Sequence, residues 1–199
     1  PPPPRAQRAW EQMTALPEVR FRSVDPSRMH AELEIILDIF NDAWRNNWGF
    51  VPATPSEVRK MAEDMRLILD PDIAFFAEID GRPVGVVVCL PNLNEATRDL
   101  GGSLFPTGFL KLLYRLKIKK PSSARLMLLG IRNELRGVKK YGALSTAMYA
   151  ELARRGLEKG TYKWAELSWT LESNAAINVG IKAMRAKVYK TYRAWERPV

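Results

Sequence analysis

Arg125 to Gly160 reads RLMLLGIRNELRGVKKYGALSTAMYAELARRGLEKG. It opens with an apolar run of strand length, Arg125 to Ile131. A loop holding Arg136, Gly137, Lys139, Lys140 and Gly142 comes next. The helix predicted after it places Leu144, Ala147, Met148 and Leu152 on one face. A helix N-terminus has unpaired N–H groups and the positive end of a dipole, so it favours bound phosphate. Gly137 and Gly142 permit close backbone approach, and the basic side chains add charge. An ordinary strand-to-helix turn with a solvated basic loop fits the same residues. The pattern G-x-x-x-x-G-K-[ST] is absent, which argues against a P-loop nucleotidase. G-x-G-x-x-G is absent too, which argues against a Rossmann dinucleotide site.

Outward from this stretch, strands and helices alternate. Residues 1 to 17 read as an extended, proline-led arm with a short amphipathic piece around Trp10, and residues 18 to 199 as one α/β domain. Val19 to Val24 alternates as a first strand. Leu33, Ile36, Leu37, Phe40 and Trp44 repeat at helical spacing, and Ser56 is placed to cap a second helix carrying Val58, Met61 and Met65. Ile73 to Ile79 and Val84 to Leu90 are apolar runs flanking Asp80-Gly81, a hairpin signal. Apolar residues on both strand faces imply helices covering both sides of the sheet. An insert at about 92 to 121 contains a basic amphipathic segment, with Phe105, Phe109, Leu112, Leu113 and Leu116 beside Lys111, Arg115, Lys117, Lys119 and Lys120. Lys163 to Trp169 reads as a strand, Asn174 to about Met184 as a short helix, and Lys187 to Glu196 as a last strand.

Composition narrows the function classes. With 199 residues the chain is large enough for one well-buried domain. The net charge of +9 attracts phosphates, anionic membrane, nucleic acid or an acidic protein without choosing among them. There is no nucleic-acid recognition motif, so nucleic acid is not an expected partner. No apolar run approaches the ~18 residues of a membrane span. One histidine, His30, and one cysteine, Cys89, are far apart, so no zinc site is expected. Cys89 lies in a strand-like run and reads as core. A single thiol fits a cytoplasmic setting, with peripheral membrane contact as an option. The chain opens on four prolines without an initiating Met, the start expected of a fragment or a processed product.

The order of elements resembles the GNAT N-acetyltransferase superfamily, whose pyrophosphate loop reads Q/R-x-x-G-x-G/A before a helix. Arg136-Gly137 resembles the opening of that loop and Gly142-Ala143 its end, with one extra residue between and Lys140 where a glycine is expected. IFNDAWRNNWGFVP (Ile39 to Pro52), LPNLNEA (Leu90 to Ala96), ELSWTLESN (Glu166 to Asn174) and VYKTYRAWERP (Val188 to Pro198) resemble an uncharacterised bacterial GNAT-like family. In that family this region often forms the C-terminal half of a longer chain. The resemblance implies a central, mostly antiparallel mixed sheet flanked by helices.

It also implies an N-acyltransferase that uses acyl-CoA, or acyl carrier protein, and a small amine acceptor, with no tightly bound cofactor. The alternative is a catalytically degenerate GNAT domain that binds a ligand or partner. By resemblance, Leu129 and Ile131 would face the pantetheine arm. Arg136, Gly137, Lys139, Lys140, Tyr141, Gly142 and Ala143 would hold the phosphates. Asn174 would contact the arm, or serve only as a helix N-cap. Glu166, Glu172 and Glu134 are candidate bases. The tyrosine that usually protonates the leaving thiolate, about seven residues after the asparagine, is missing, and Tyr189 is the nearby phenol. Trp44, Asn47, Trp48, Phe50 and Trp169 would border the acceptor, or the aromatics would anchor a loop. The basic segment 104 to 120 would meet an anionic membrane or an acidic carrier protein.

Overall fold

The architecture was analysed in a computed structural model that describes residues 1–47, 50–52, 54–168, 170–172, 174–193, 195 and 197. Five strands form one sheet in the order β1 (Val19–Ser23), β2 (Ala74–Ile79), β3 (Arg82–Pro91), β4 (Ser123–Ile131) and β5 (Trp164–Leu167). β1 to β4 run antiparallel, and β5 joins β4 in parallel. The β2–β3 turn puts Asp80 at φ +51° and Gly81 at φ +76°. Positive φ at both central residues suits the right-handed twist of a two-residue hairpin.

Both faces of the sheet are covered, as the unbroken apolar runs imply. Phe75, Ala77, Val87 and Cys89 face one core with Leu144, Met148 and Leu152 of helix α6 (Leu144–Lys159). Ala74, Phe76, Val86 and Val88 face the other with Leu33, Ile36 and Leu37 of α2 (Met29–Trp44). α3 (Pro55–Ile68) packs beside α2. Its cap is Thr54 rather than Ser56, because Pro55 fills the first helical position and Glu57 closes a capping box on Thr54.

The expected extended arm is instead a helix, α1 (Pro4–Thr14). Proline stands at the start of this helix. At the first turn its missing N–H costs no hydrogen bond, and its φ suits a helix. Ala6, Ala9 and Met13 are buried, and the helix lies along α6. Trp10 Nε1 donates to Glu151 at 2.7 Å, and Glu151 also accepts from Arg154 and Arg155.

The last expected strand is also corrected. The described residues from Lys187 to Arg193 form no strand, and Val188 and Tyr192 are exposed. An alternating pattern makes a strand only where a neighbouring edge completes its hydrogen bonds. Between β3 and β4, the insert folds as α4 (Leu93–Thr97), α5 (Gly108–Tyr114) and a π-helical turn, Arg115–Lys119. Glu95 ties it to the start of β4 by accepting from the backbone N–H groups and hydroxyls of Ser122 and Ser123. α7 (Ala175–Ala183) follows β5.

Candidate active site

β4 and β5 stay paired only as far as Leu126 and Leu167, where Ser168 N–H donates to the Leu126 carbonyl at 3.1 Å. β4 continues to Ile131, so its edge beyond this point has no strand partner among the described residues. A cleft of about 570 Å³ opens there. Its floor is β4 from Arg125 to Leu129. One wall carries Phe40, Trp44, Asn47 and Phe50, and the other carries Thr170, Leu171, Asn174 and Ile181. Tyr149 of α6 also lines it.

The floor is irregular. Val88 pairs with Leu128 and Cys89 with Leu126, so Met127 has no opposite residue on β3. Such a bulge bends the strand and re-aims its groups. Arg125 Nε is buried without a hydrogen-bond partner among the described residues. A buried donor left unpaired is costly.

At one end, the loop between β4 and α6 is strapped to the end of α2. Arg132 reaches Asp38 at 2.5 Å, Asn133 N–H donates to Asp42 at 2.5 Å, and Arg136 donates to the Ala43 carbonyl at 2.8 Å. Gly130 fixes the approach, since a Cβ there would lie 2.3 Å from the Trp44 ring.

Two basic residues proposed for phosphates therefore already have work. Besides Arg136, Lys140 pairs with Glu18 at 2.5 Å, and that hydrogen bond raises the lysine's pKa and lowers the glutamate's. Tyr141 also donates to Glu18, at 3.3 Å. Lys139 is exposed and has no carboxylate partner among the described residues. Gly137 sits at φ +83°, a conformation that suits glycine, whereas Gly142 is in the right-handed helical region. Ala143 caps α6 without a side-chain acceptor, and no acid occupies the first turn. The first N–H groups of α6 are thus open to an anion.

The remaining candidates divide. Trp44, Asn47 and Phe50 come together at the cleft, with Phe40 tilted against Trp44 at a centroid distance of 4.9 Å and edge-on to Phe50 at 5.4 Å. Trp48 and Trp169 lie outside the described residues. Leu129 lines the cleft, while Ile131 packs on the sheet core. Asn174 Oδ1 accepts from Ile177 N–H at 3.3 Å, so it caps α7 and also borders the cleft. Glu166 is largely buried, 3.8 Å from Arg125 on the neighbouring strand. Tyr189 reaches it from the C-terminal tail, and the Glu166 carboxylate raises the phenol's pKa by accepting its proton in a hydrogen bond. Glu172 stands outside, 87% exposed and 3.4 Å from Arg193.

No family model matches the chain. It is 40% identical over 179 residues to the bacterial ceramide synthase of Caulobacter vibrioides, covering 90% of this chain and 46% of that protein. It is 37% identical over 182 residues to protein YghO of Escherichia coli K12, covering 92% and 46%. The chain thus spans about half the length of the curated relatives it matches. Among solved structures, the aminoglycoside N-acetyltransferase AAC(6')-Iy in complex with CoA superposes with a TM-score of 0.55 at 11% identity, covering 91% of this chain and 95% of that one. The chain has the GNAT acetyltransferase fold.

Within this GNAT fold, the residue that sequence reasoning missed is Tyr149. Ile181 stands where the resemblance expects a tyrosine. One residue earlier, Gly180 leaves a space that the Tyr149 ring fills from α6, and a Cβ at Gly180 would lie 2.6 Å from that ring. Tyr149 is 3% exposed, and burial pushes its phenol up to about 12, so it stays protonated at neutral pH. Burial makes this phenol a weaker acid than an ordinary tyrosine and keeps it a neutral hydrogen-bond donor beside the cleft. Cys89 is buried and its thiol is pushed up to about 12, chiefly by desolvation, which disqualifies it as a nucleophile. Among the described residues no group of three or more His, Cys, Asp or Glu could hold a metal.

Proposed function

We propose that this chain is the acyl-transfer part of an N-acyltransferase that joins an acyl group from acyl-CoA to an amine. The observation that carries this is the unpaired β4 edge, which shares its cleft with Tyr149 of α6. The N-terminus and Lys139 hold the CoA phosphates, and the β4 edge holds the amide-bearing arm. A solved neighbour with CoA bound supports that fit for the fold. The name of the ceramide synthase relative supports the outcome, since a ceramide is an amide.

In the proposed reaction, Glu166 takes a proton from the bound ammonium, directly or through water. The freed amine attacks the thioester carbonyl, and the bulged strand at Met127 stabilises the developing oxyanion. The carbon–sulfur bond then breaks, and the thiolate takes the Tyr149 proton. Holding amine and thioester together supplies much of the acceleration. The aromatic wall of Phe40, Trp44 and Phe50 favours an acceptor with a substantial apolar part.

The insert supports delivery of such an acceptor from a membrane. Phe105, Leu110, Tyr114 and Ile118 are 87, 67, 57 and 68% exposed, among Lys117, Lys119 and Lys120. Apolar side chains within a basic segment fit an anionic lipid surface. Sedimentation with vesicles containing phosphatidylglycerol should pull the protein down at low salt; no pelleting would remove this part of the proposal.

Thermal-shift titration with CoA, acetyl-CoA and long-chain acyl-CoA tests the donor, because a ligand that binds only the native state raises Tm. Loss of that shift in Gly142→Glu would support the phosphate site. Absence of any shift would overturn acyl-CoA as donor. The engagement of Arg136 and Lys140 inside the fold favours one rival, a binding module without turnover. Binding without amide formation, followed by mass spectrometry across a panel of amines, would select it.

A further inference from the structure

We infer that a second, apolar cavity behind Tyr149 and Leu167 receives the hydrocarbon chain of the acyl donor. It measures about 300 Å³, and those two residues line both it and the cleft. Two side chains therefore form the shared boundary between the place of bond formation and an apolar chamber. Ile73 just before β2, Cys89 and Ala124 of the sheet, and Ala153 and Gly156 of α6 complete much of its wall. Tyr162 also faces it but ties its hydroxyl to Asp70 at 2.6 Å, leaving the ring as the exposed part.

Gly156 is the telling residue. Glycine inside a helix is unfavourable relative to alanine. A glycine can be needed where something packs too close for a Cβ, as at Gly130 and Gly180. At Gly156 nothing lies within 4 Å of an added Cβ, although the residue is buried. The missing side chain leaves room in the cavity and accommodates no neighbouring protein atom. Gly156 also lies in the expected direction: twelve residues after the α6 N-terminus, roughly 18 Å along the helix and past Tyr149. Phosphates at the start of α6, thioester near Tyr149 and chain beyond it would then follow one direction along the helix. The occupant that fits is a medium or long saturated acyl chain, since the lining offers little to a polar group.

This inference rests on the acyl-thioester reading of the cleft, and its test separates the two. Acetyl-CoA, decanoyl-CoA and decanoic acid are titrated calorimetrically into the full-length protein and its Gly156→Leu and Ala153→Leu variants, with thermal unfolding as a check on folding. In wild type, each methylene that enters the cavity strengthens binding by about fourfold. Both variants should bind acetyl-CoA within about twofold of wild type and decanoyl-CoA at least tenfold more weakly, the effect of a few excluded methylenes. Decanoyl-CoA bound as tightly by both folded variants as by wild type would overturn the inference. If no CoA compound binds, the donor reading fails and decanoic acid decides the cavity. Binding by wild type that is lost in Gly156→Leu sustains it, and no binding by wild type overturns it.

Discussion

The two walls of the cleft are built differently. The wall at the end of α2 is cross-tied: Asp38, Asp42 and Ala43 each hold a residue of the β4–α6 loop, and Trp44 is seated on Gly130. The wall of β5 and α7 is tied within itself, Asn178 bonding Thr170 and the Leu171 and Glu172 carbonyls, and meets α6 where the Tyr149 ring is set against Gly180. Polar ties fix a position through several short contacts, whereas an apolar seat fixes one group and leaves its surroundings room to adjust. The first wall is suited to holding the fixed features of a donor. The second is suited to a reaction whose substrates vary in length.

The largest expected effect breaks the second wall without unfolding it. Tyr149→Phe keeps the ring on Gly180 and removes only the hydroxyl, so stability should change by less than about 1 kcal/mol. Turnover of the full-length protein should fall by about 10²- to 10⁴-fold, the usual loss for a general acid. Unchanged turnover would show that the thiolate finds its proton elsewhere. Gly130→Val attacks the first wall. Its Cβ cannot coexist with the Trp44 ring, and denaturant unfolding should show a loss of about 3 kcal/mol, at the upper end of overpacking effects.

The third prediction concerns α6, which joins both walls. Burial pushes Glu151 upward, but hydrogen bonds from Arg154, Arg155 and Trp10 outweigh it and hold the carboxyl below its ordinary 4.5. Because the folded value lies below the unfolded one, the stabilisation is fully present above 4.5 and disappears as pH falls through the folded value. Tm should therefore decline on acidification below about pH 5, and the decline should be shallower in Glu151→Gln. Equal slopes would place the acid-sensitive group elsewhere. The smallest effect sharpens the first wall. Lys139→Ala should weaken CoA binding several-fold in a salt-dependent manner, as expected for an exposed charge. Lys140→Ala should act mainly on the Glu18 contact and leave Tm nearly unchanged, as expected for a solvent-screened pair.

The hairpin, the doubly covered sheet and the strand–loop–helix around Arg136 were readable because periodicity and turn chemistry report them locally. α1 was not, since a run of prolines suggests an extended chain and only the groove on α6 shows that Ala6, Ala9 and Met13 face a partner. Of the candidate residues, Trp44, Asn47 and Phe50 lie together at the cleft, whereas Glu166 of β5 lies beside Arg125 and is not among the residues lining it. Tyr149 was hidden, because a tyrosine on an amphipathic helix has no signature until the glycine on the opposing helix is seen. Arg136 and Lys140 looked free because their partners, Ala43 and Glu18, lie about a hundred residues away in sequence.

Cys89 is the only cysteine of the chain, and its thiol is pushed up to about 12. Within this chain, a cysteine introduced at exposed Leu110 would react with maleimides far faster than the native thiol. A fluorophore or spin label could then be attached to the insert without first removing Cys89, and its environment followed as vesicles are added.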